Sequence, residues 1–530
     1  MIKIMKRILY IAGAVLSVAA IAGCNDFLDK TPDNRTEVDS QDKVASILGS
    51  AYSNTDFQLL TEYMSDNVDD YGASNPYYDK FIEQVYKWEN VTEDNNESPQ
   101  NIWESNYNAI ASANQALDAI EQLGGVDESA TLRECKGEAL LARAYCHYVL
   151  VNIFCNAYNQ NTSVKDLGIP YVTESEKTLN PHYKRGTVAD VYAKLEKDIT
   201  EGLTLIGDNH LKTPKYHFNT QAAYAFASKF YLSYEKWDKA KECADLCLGS
   251  VPTLMDWASN SALPADPIVR GEDYISSDNS NNLLLETAYS ALGLAIGPYS
   301  RYSRFAHGFY LANNETAAAL HPFGSYTNFK CPMFFVTATS IQKAMLLKVP
   351  VLFEYTDPVA GIGFLRTVFV NLSTDMCILD RAEAEIMLKQ YDAAAADLTT
   401  WQNNYVNSGS QMTLTPENIQ KFYSGIEYST GLSSTIKKHL HPSFSIDAEG
   451  SLQECMLQCL LDYRRLQTLH EGQRWFDIKR YGIVIYRRTI NAAGIPETLT
   501  DSLTVNDPRR AVQIPDKVVN AGIEPNPRNN

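Results

Sequence analysis

The chain has 530 residues, a formal net charge of −18, 45% hydrophobic residues, 32 tyrosines and ten cysteines. So acidic a body repels nucleic acid and anionic lipid head groups, which excludes both as principal partners. The apolar content is enough to fill a large core. The tyrosine excess suits flat, polar ligands such as sugars, or equally the filling of helix interfaces.

Lys3, Lys6 and Arg7 precede an apolar run from Ile8 to Ala22. The run is shorter than the roughly 20 residues that span a bilayer, and it closes on small residues. It therefore reads as a secretory leader, residues 1–23, that is removed on export. Its loss makes the remainder three charges more negative. Ile21-Ala22-Gly23-Cys24 resembles the bacterial lipobox, which implies acylation of Cys24 as the mature N-terminus. Ordinary cleavage after Ala22 is the alternative, since Ala20-Ile21-Ala22 also fits a small-x-small site. Residues 24–40, polar and broken at Pro32, read as a tether, and residues 41–530 as a single domain. No other stretch is apolar for long enough to span a membrane.

A helix is predicted from Asp42 to about Tyr52. Residues 61–99 read as two acidic, aromatic loops, Asp66 to Gly72 and Asn75 to Asp79, with carboxylates too irregularly spaced for an EF-hand. Ser98-Pro99 is an N-cap followed by proline at the first helical position. Trp103, Tyr107, Ile110, Ala113, Leu117 and Ile120 then recur at helical spacing up to Gly124-Gly125. A second helix is expected from about Leu132 to Tyr158, packed antiparallel on the first. Thr187 and Asp190 form a capping box for the next. Residues 220–249 make the clearest repeat unit, with Ser228, Tyr231, Trp237, Ala240 and Cys247 at the small and aromatic positions of a tetratricopeptide hairpin. A shorter unit recurs at 378–401, and 455–482 reads as a further pair ending in one long helix from Leu457 to Tyr481. The scaffold thus comprises about 98–250, 376–404 and 452–482. Loop-rich blocks at 251–375 and 405–450 are where function is expected. Val349 to Tyr355 and Phe364 to Asn371 read as a small β-hairpin. The fold class is mostly α, a scaffold of helical hairpins with large loop-rich insertions and a few short strands.

Nine cysteines besides Cys24 cannot all pair. Cys243/Cys247 and Cys455/Cys459 sit one helical turn apart, a spacing open to a four-thiolate zinc site but better read as buried, inert thiols. No metalloprotease, serine-hydrolase or phosphate-loop motif is present, and Gly361-x-Gly363 alone is too weak for a nucleotide site. His439 and His441, beside Lys437 and Lys438, look like an exposed loop. Catalytic residues, metal ligands and cofactors are therefore not assigned, although the many carboxylates leave a glycosidase pair open.

Glu471-Gly472-Gln473-Arg474-Trp475-Phe476-Asp477-Ile478-Lys479-Arg480-Tyr481-Gly482 resembles the C-terminal hallmark of the SusD/RagB family of outer-membrane nutrient-binding lipoproteins of Bacteroidetes. Glu138 to Tyr145 resembles the family's early hallmark, while near the C-terminal hallmark Tyr463 and Gln467 stand where the family usually places acids. The resemblance implies a lipoprotein anchored through Cys24 at the cell surface of the outer membrane. It implies capture of oligosaccharides without catalysis and their delivery to a SusC-like TonB-dependent transporter. It also implies a ligand surface from N-terminal loops and the central block: here Tyr71, Tyr77, Tyr78, Tyr299, Arg301, Tyr302 and Arg304. Rings of this kind stack on pyranose faces and arginine donates to hydroxyls. A surface glycoside hydrolase, or a binder of peptides or protein partners, is the alternative. Within the hallmark, Glu471, Arg474 and Asp477 are spaced to pair along one helix face. Gly472 would cost about 1 kcal/mol inside a helix, offset by close contact with a neighbour.

Overall fold

Residues 38–72, 75–176, 182–297, 302–331, 333–336 and 342–528 are described by a computed structural model. The leader, Cys24 and nearly all of the tether lie outside this range. Helix α1 (Gln41–Leu48) buries Val44 and Leu48. Then come α2 (Gln58–Met64), β1 (Asp69–Asp70) and α3 (Lys80–Tyr86), where loops were expected. Every residue of α2 is buried. A helix buried all round carries no apolar stripe, so periodicity cannot reveal it.

The predicted pairs follow. Ser98 accepts from the Asn101 amide to start α4 (Pro99–Gln122), and Ser129 caps α5 (Ala130–Phe154). The capping box of Thr187 and Asp190 opens α6 (Val188–Leu205). Gly137 of α5 lets α6 close in: a Cβ there would lie 2.8 Å from the Ile206 Cα. Arg143 holds the trio together, donating to both oxygens of Asp198 (2.8 and 2.7 Å) and to Asn114 (2.9 Å). The tetratricopeptide-like unit is α7 (Thr220–Ser233) and α8 (Trp237–Leu248). Ser228 Oγ reaches the Ala240 carbonyl at 2.9 Å, the close crossing that its small side chain predicts.

The central block is less irregular than its composition suggests. It contains α9 (Trp257–Ala262), α10 (Pro267–Tyr274), β2 (Asn282–Ala288), α11 (Leu292–Ile296), β3 (Phe305–Ala306) and α12 (Phe309–Glu315). Next are β4 (Met333–Val336) with β5 (Lys343–Leu346), then β6 (Leu352–Asp357) and β7 (Ile362–Ser373). The predicted hairpin is β6–β7, and it extends into a three-stranded sheet in the order β2-β7-β6. The scaffold resumes with α13 (Thr374–Met387) and α14 (Tyr391–Tyr405), followed by α15 (Pro416–Ser424) and α16 (Leu452–Gln467). The chain ends through α17 (Arg474–Arg480), the antiparallel pair β8 (Ile485–Ile490) and β9 (Pro496–Leu503), and α18 (Asp516–Asn520). A second sheet has the order β3-β1-β8-β9 and joins residues from both ends of the chain.

The long helix expected from Leu457 to Tyr481 is broken. Residues 468–473 form turns between α16 and α17, with His470 at φ +71° and Gly472 at φ +70°. Gly472 is thus a left-handed turn residue, not a helical one. The close contact is real: a Cβ there would lie 2.7 Å from the Gln58 Cα. The three charges of the hallmark also point apart. Glu471 pairs with Lys348 (3.1 Å), Arg474 with Asp66 (2.9 Å) and Asp477 with Arg464 (2.9 Å). Arg464 additionally reaches Glu383 (2.7 Å) and Asp380 (3.2 Å), which locks α13, α16 and α17 together. Tyr463 and Gln467, the departures from the hallmark, serve a local partner instead: Tyr463 stacks on Trp401 at 4.9 Å and Gln467 accepts from the Trp401 indole at 2.8 Å. Lys437 and Lys438 are not exposed with their histidines, and Lys438 pairs with buried Glu315 at 2.6 Å. Cys243, Cys247, Cys455 and Cys459 are all buried thiols, and no group of three or more His, Cys, Asp or Glu among the described residues is arranged to hold a metal.

Two expected outcomes follow. Gly472→Ala combines a left-handed backbone with a clash against α2, so it is expected to cost about 3 kcal/mol or more in urea unfolding. A cost below about 1 kcal/mol would contradict this account of the turn. Glu97 is buried beneath Ser290 and the Ala291 amide, and burial pushes its carboxyl up to about 7. Its stabilising contribution is complete below its unfolded value near 4.5 and is lost as pH rises through 7. Glu97→Gln is expected to gain about 2 kcal/mol on wild type between pH 4.5 and 6.5, read from paired urea titrations.

A tyrosine-bearing sheet edge as candidate functional site

Strand β1 is two residues long, and its side chains point to opposite faces. Asp69 turns inward and accepts from Arg488 Nε at 2.9 Å. Asp70 turns toward the edge and accepts from Arg304 Nε and Nη2, both at 2.7 Å, a bidentate pair. That carboxylate, outweighing the cost of partial burial, holds the Arg304 guanidinium above its ordinary pKa. Arg304 directly precedes β3, which runs antiparallel to β1 with Asp70 opposite Phe305. Main-chain bonds extend the pairing: Tyr71 N–H donates to the Arg304 carbonyl (2.8 Å), Arg304 N–H to Tyr77 (3.1 Å) and Tyr77 N–H to Tyr302 (3.2 Å).

Residues predicted from two distant segments therefore meet. The Tyr77 and Tyr302 rings stand edge to face, 5.8 Å apart at 82°. Tyr77 and Tyr78 are 60% and 53% exposed. Asp79 caps α3 through the Phe81 and Ile82 amides and so fixes the turn that presents Tyr78. The Tyr78 hydroxyl donates to Glu83, which also accepts from Lys87 at 2.6 Å. The hydrogen bonds from Lys87 and Tyr78 hold the Glu83 carboxyl below its ordinary range.

Tyr71 does not share this surface. It is 7% exposed, the Lys343 ammonium lies 3.3 Å from its ring centroid, and a side chain at Gly308 would collide with its phenol. Burial pushes the Lys343 ammonium down to about 7. Arg304 is committed to Asp70 and acts as a brace between strands. Tyr299 and Arg301 lie outside the described residues. The braces Asp70 and Glu83 were missed in the sequence. Their signal was an acid beside each tyrosine segment, which read as solvated loop chemistry.

Together the fold and this edge define a helical-hairpin scaffold that carries an exposed aromatic surface on a small sheet. Residues 26–232 match the SusD-like family model described as "Starch-binding associating with outer membrane". A putative sugar binding protein from Bacteroides vulgatus ATCC 8482 superposes with a TM-score of 0.65 at 19% identity, covering 93% of this chain and 99% of that one. A SusD superfamily protein from Bacteroides thetaiotaomicron VPI-5482 gives 0.60 at 17% identity, covering 92% and 98%. A SusD-like carbohydrate binding protein from B. vulgatus gives 0.58 at 17%, covering 91% and 96%. No curated protein matches. Residues 26–232 thus carry the pattern of this family, and the fold of the chain is that of the superposed structures.

Asp70→Asn removes the charge that Arg304 grips. It is expected to cost about 1–2 kcal/mol in thermal or urea unfolding, with Arg304→Lys costing less. Equal stability of Asp70→Asn and wild type would show that the pair does not brace the edge.

Proposed function

We propose that this protein captures oligosaccharides at the cell surface through the edge formed by Tyr77, Tyr78 and Tyr302, and releases them chemically unaltered to a SusC-like TonB-dependent outer-membrane transporter. The observation that carries this reading is the pair of exposed phenols, Tyr77 and Tyr78, held on a rigid edge beside Tyr302. Exposed rings fixed by main-chain bonds lose little entropy on stacking against a pyranose. The family description as starch-binding and outer-membrane associating supports it, as do the sugar- and carbohydrate-binding names of the structural relatives. Attachment through an acylated Cys24 follows from the lipobox resemblance.

The carboxylates nearest these tyrosines favour binding over cleavage. Asp70 is held by Arg304, Asp79 by helix amides and Glu83 by Lys87 and Tyr78. Glycoside hydrolysis needs one carboxyl poised as an acid and another as a base or nucleophile, and each of these three is already engaged by donors within the fold.

Calorimetric titration of the protein lacking residues 1–37 against a panel of neutral and acidic oligosaccharides tests the reading. Tyr77→Ala with Tyr302→Ala is expected to weaken binding by about tenfold or more, as loss of one or two stacking contacts should. Undiminished binding would remove this edge from the account, and new reducing ends after incubation would make the protein a hydrolase.

A further inference from the structure

A second concavity, remote in sequence from the tyrosine edge, has buried cations in its lining. Residues 156–167, the α17 end, residues 505–511 and the segment at Asn526 and Pro527 enclose a cleft of about 610 Å3. In its lining lie Lys479 and Arg510, both buried. Several buried cations face carboxylates: Arg143 faces Asp198, Arg464 faces Glu383, and Arg488 faces Asp69. These two, like buried Arg487, face main-chain carbonyls instead, but unlike Arg487 they line this cleft. Lys479 Nζ donates to the Asn152 and Cys155 carbonyls at the end of α5. Arg510 donates to the carbonyls of Ile478, Ile483, Leu503 and Thr504. Burial pushes the Lys479 ammonium down to about 7 and, outweighing the charge of Asp507, the Arg510 guanidinium down to about 10. Lys165 adds a further exposed cation at the rim.

The acids that face the cleft are engaged. Asp507 is taken up by Arg509 through both oxygens (3.0 and 2.8 Å), and Asp166 accepts from Thr162 at 2.6 Å. Asn156, Tyr158 and Asn506 supply neutral donors and acceptors along the same walls. Such groups match hydroxyls, whereas the cations match one negative group among them. In a chain of net charge −18, a cationic floor of this kind sets the cleft apart from its surroundings.

We infer that this cleft is a binding site for an anionic sugar, its carboxylate or sulfate seated against Lys479 and Arg510 and its hydroxyls against the amide-lined walls. The inference rests on the glycan-binding reading and narrows its ligand class to charged glycans. The aromatic edge then serves as a separate contact for neutral ring faces. Carboxylate and sulfate share the required chemistry, and they are separated by titration.

The test is calorimetry on the protein lacking residues 1–37, with a galacturonate pentamer, a sulfated galactan pentamer and maltopentaose at low and high salt. One of the two anionic sugars is expected to bind about tenfold more tightly than maltopentaose at 20 mM salt, with the advantage lost near 0.5 M as screening predicts. Whichever of the two prevails names the anionic group. Lys165→Glu with Asn506→Asp alters only the exposed rim and is expected to abolish the advantage, whereas Tyr77→Ala is expected to leave it intact. Lys479→Met is expected to abolish it as well. Should that variant fail to fold, the rim variant and the salt series still decide. Equal affinity for neutral and anionic sugars, or an advantage indifferent to salt and to the rim variant, overturns the inference while leaving glycan binding standing. Binding of no sugar of either kind overturns both.

Discussion

A seam of buried charge joins the N-terminal and C-terminal segments of the domain, and the tyrosine edge hangs from it. Asp69 and Glu315, both buried, and the half-buried Asp66 lie among Arg465, Arg474, Arg488 and Lys438. Burial would raise Glu315, but Lys438, Arg465 and Arg488 outweigh it and hold the carboxyl well below its usual range. Removing one member of such a group strands another charge out of water, at about 3–5 kcal/mol. The seam is therefore satisfied as a whole. Glu62 of α2 adds to it by accepting the amides of His470 and Gly472, which fixes the break between α16 and α17.

The consequence for the site lies in the two adjacent aspartates of β1. Asp69 belongs to the seam, and Asp70, one residue on and facing the other way, grips Arg304. The alternation of a strand thus passes rigidity from the interior to the surface. Tyr302 and Tyr77 are far apart in sequence yet are set by three main-chain bonds on this support. Aromatic rings on a braced strand keep their geometry, so a ligand stacking on them would require less ordering. The helical hairpins contribute a rigid frame on which the loop-rich segments are displayed, as in other repeat architectures.

Much of the frame was legible because its signals are local. Ser98-Pro99, Thr187 with Asp190, and the small residues Ser228 and Ala240 each act within a few residues or across one hairpin, and the helices begin and cross where these require. The β6–β7 hairpin was legible for the same reason. What failed was long-range. Gly472 reads as helical in sequence because its constraint comes from Gln58, more than 400 residues earlier. Tyr71, Tyr77 and Tyr78 are equivalent by residue type, but pairing with β3 turns the first inward under Lys343 and leaves the others exposed. Their acidic neighbours looked like solvated loop residues because arginine partners such as Arg304 and Arg488 lie hundreds of positions away.

The dependence of the aromatic edge on the buried seam can be measured without any ligand. Native-state hydrogen exchange of the Tyr71, Tyr77 and Arg304 amides, in wild type and in Asp69→Asn, reads the bonds that set the edge. The account predicts strong protection of all three in wild type and its loss in the variant, while the amides of α7 and α8 stay protected. Exchange of the three amides at loop rates in wild type, or protection unchanged in Asp69→Asn, would contradict it.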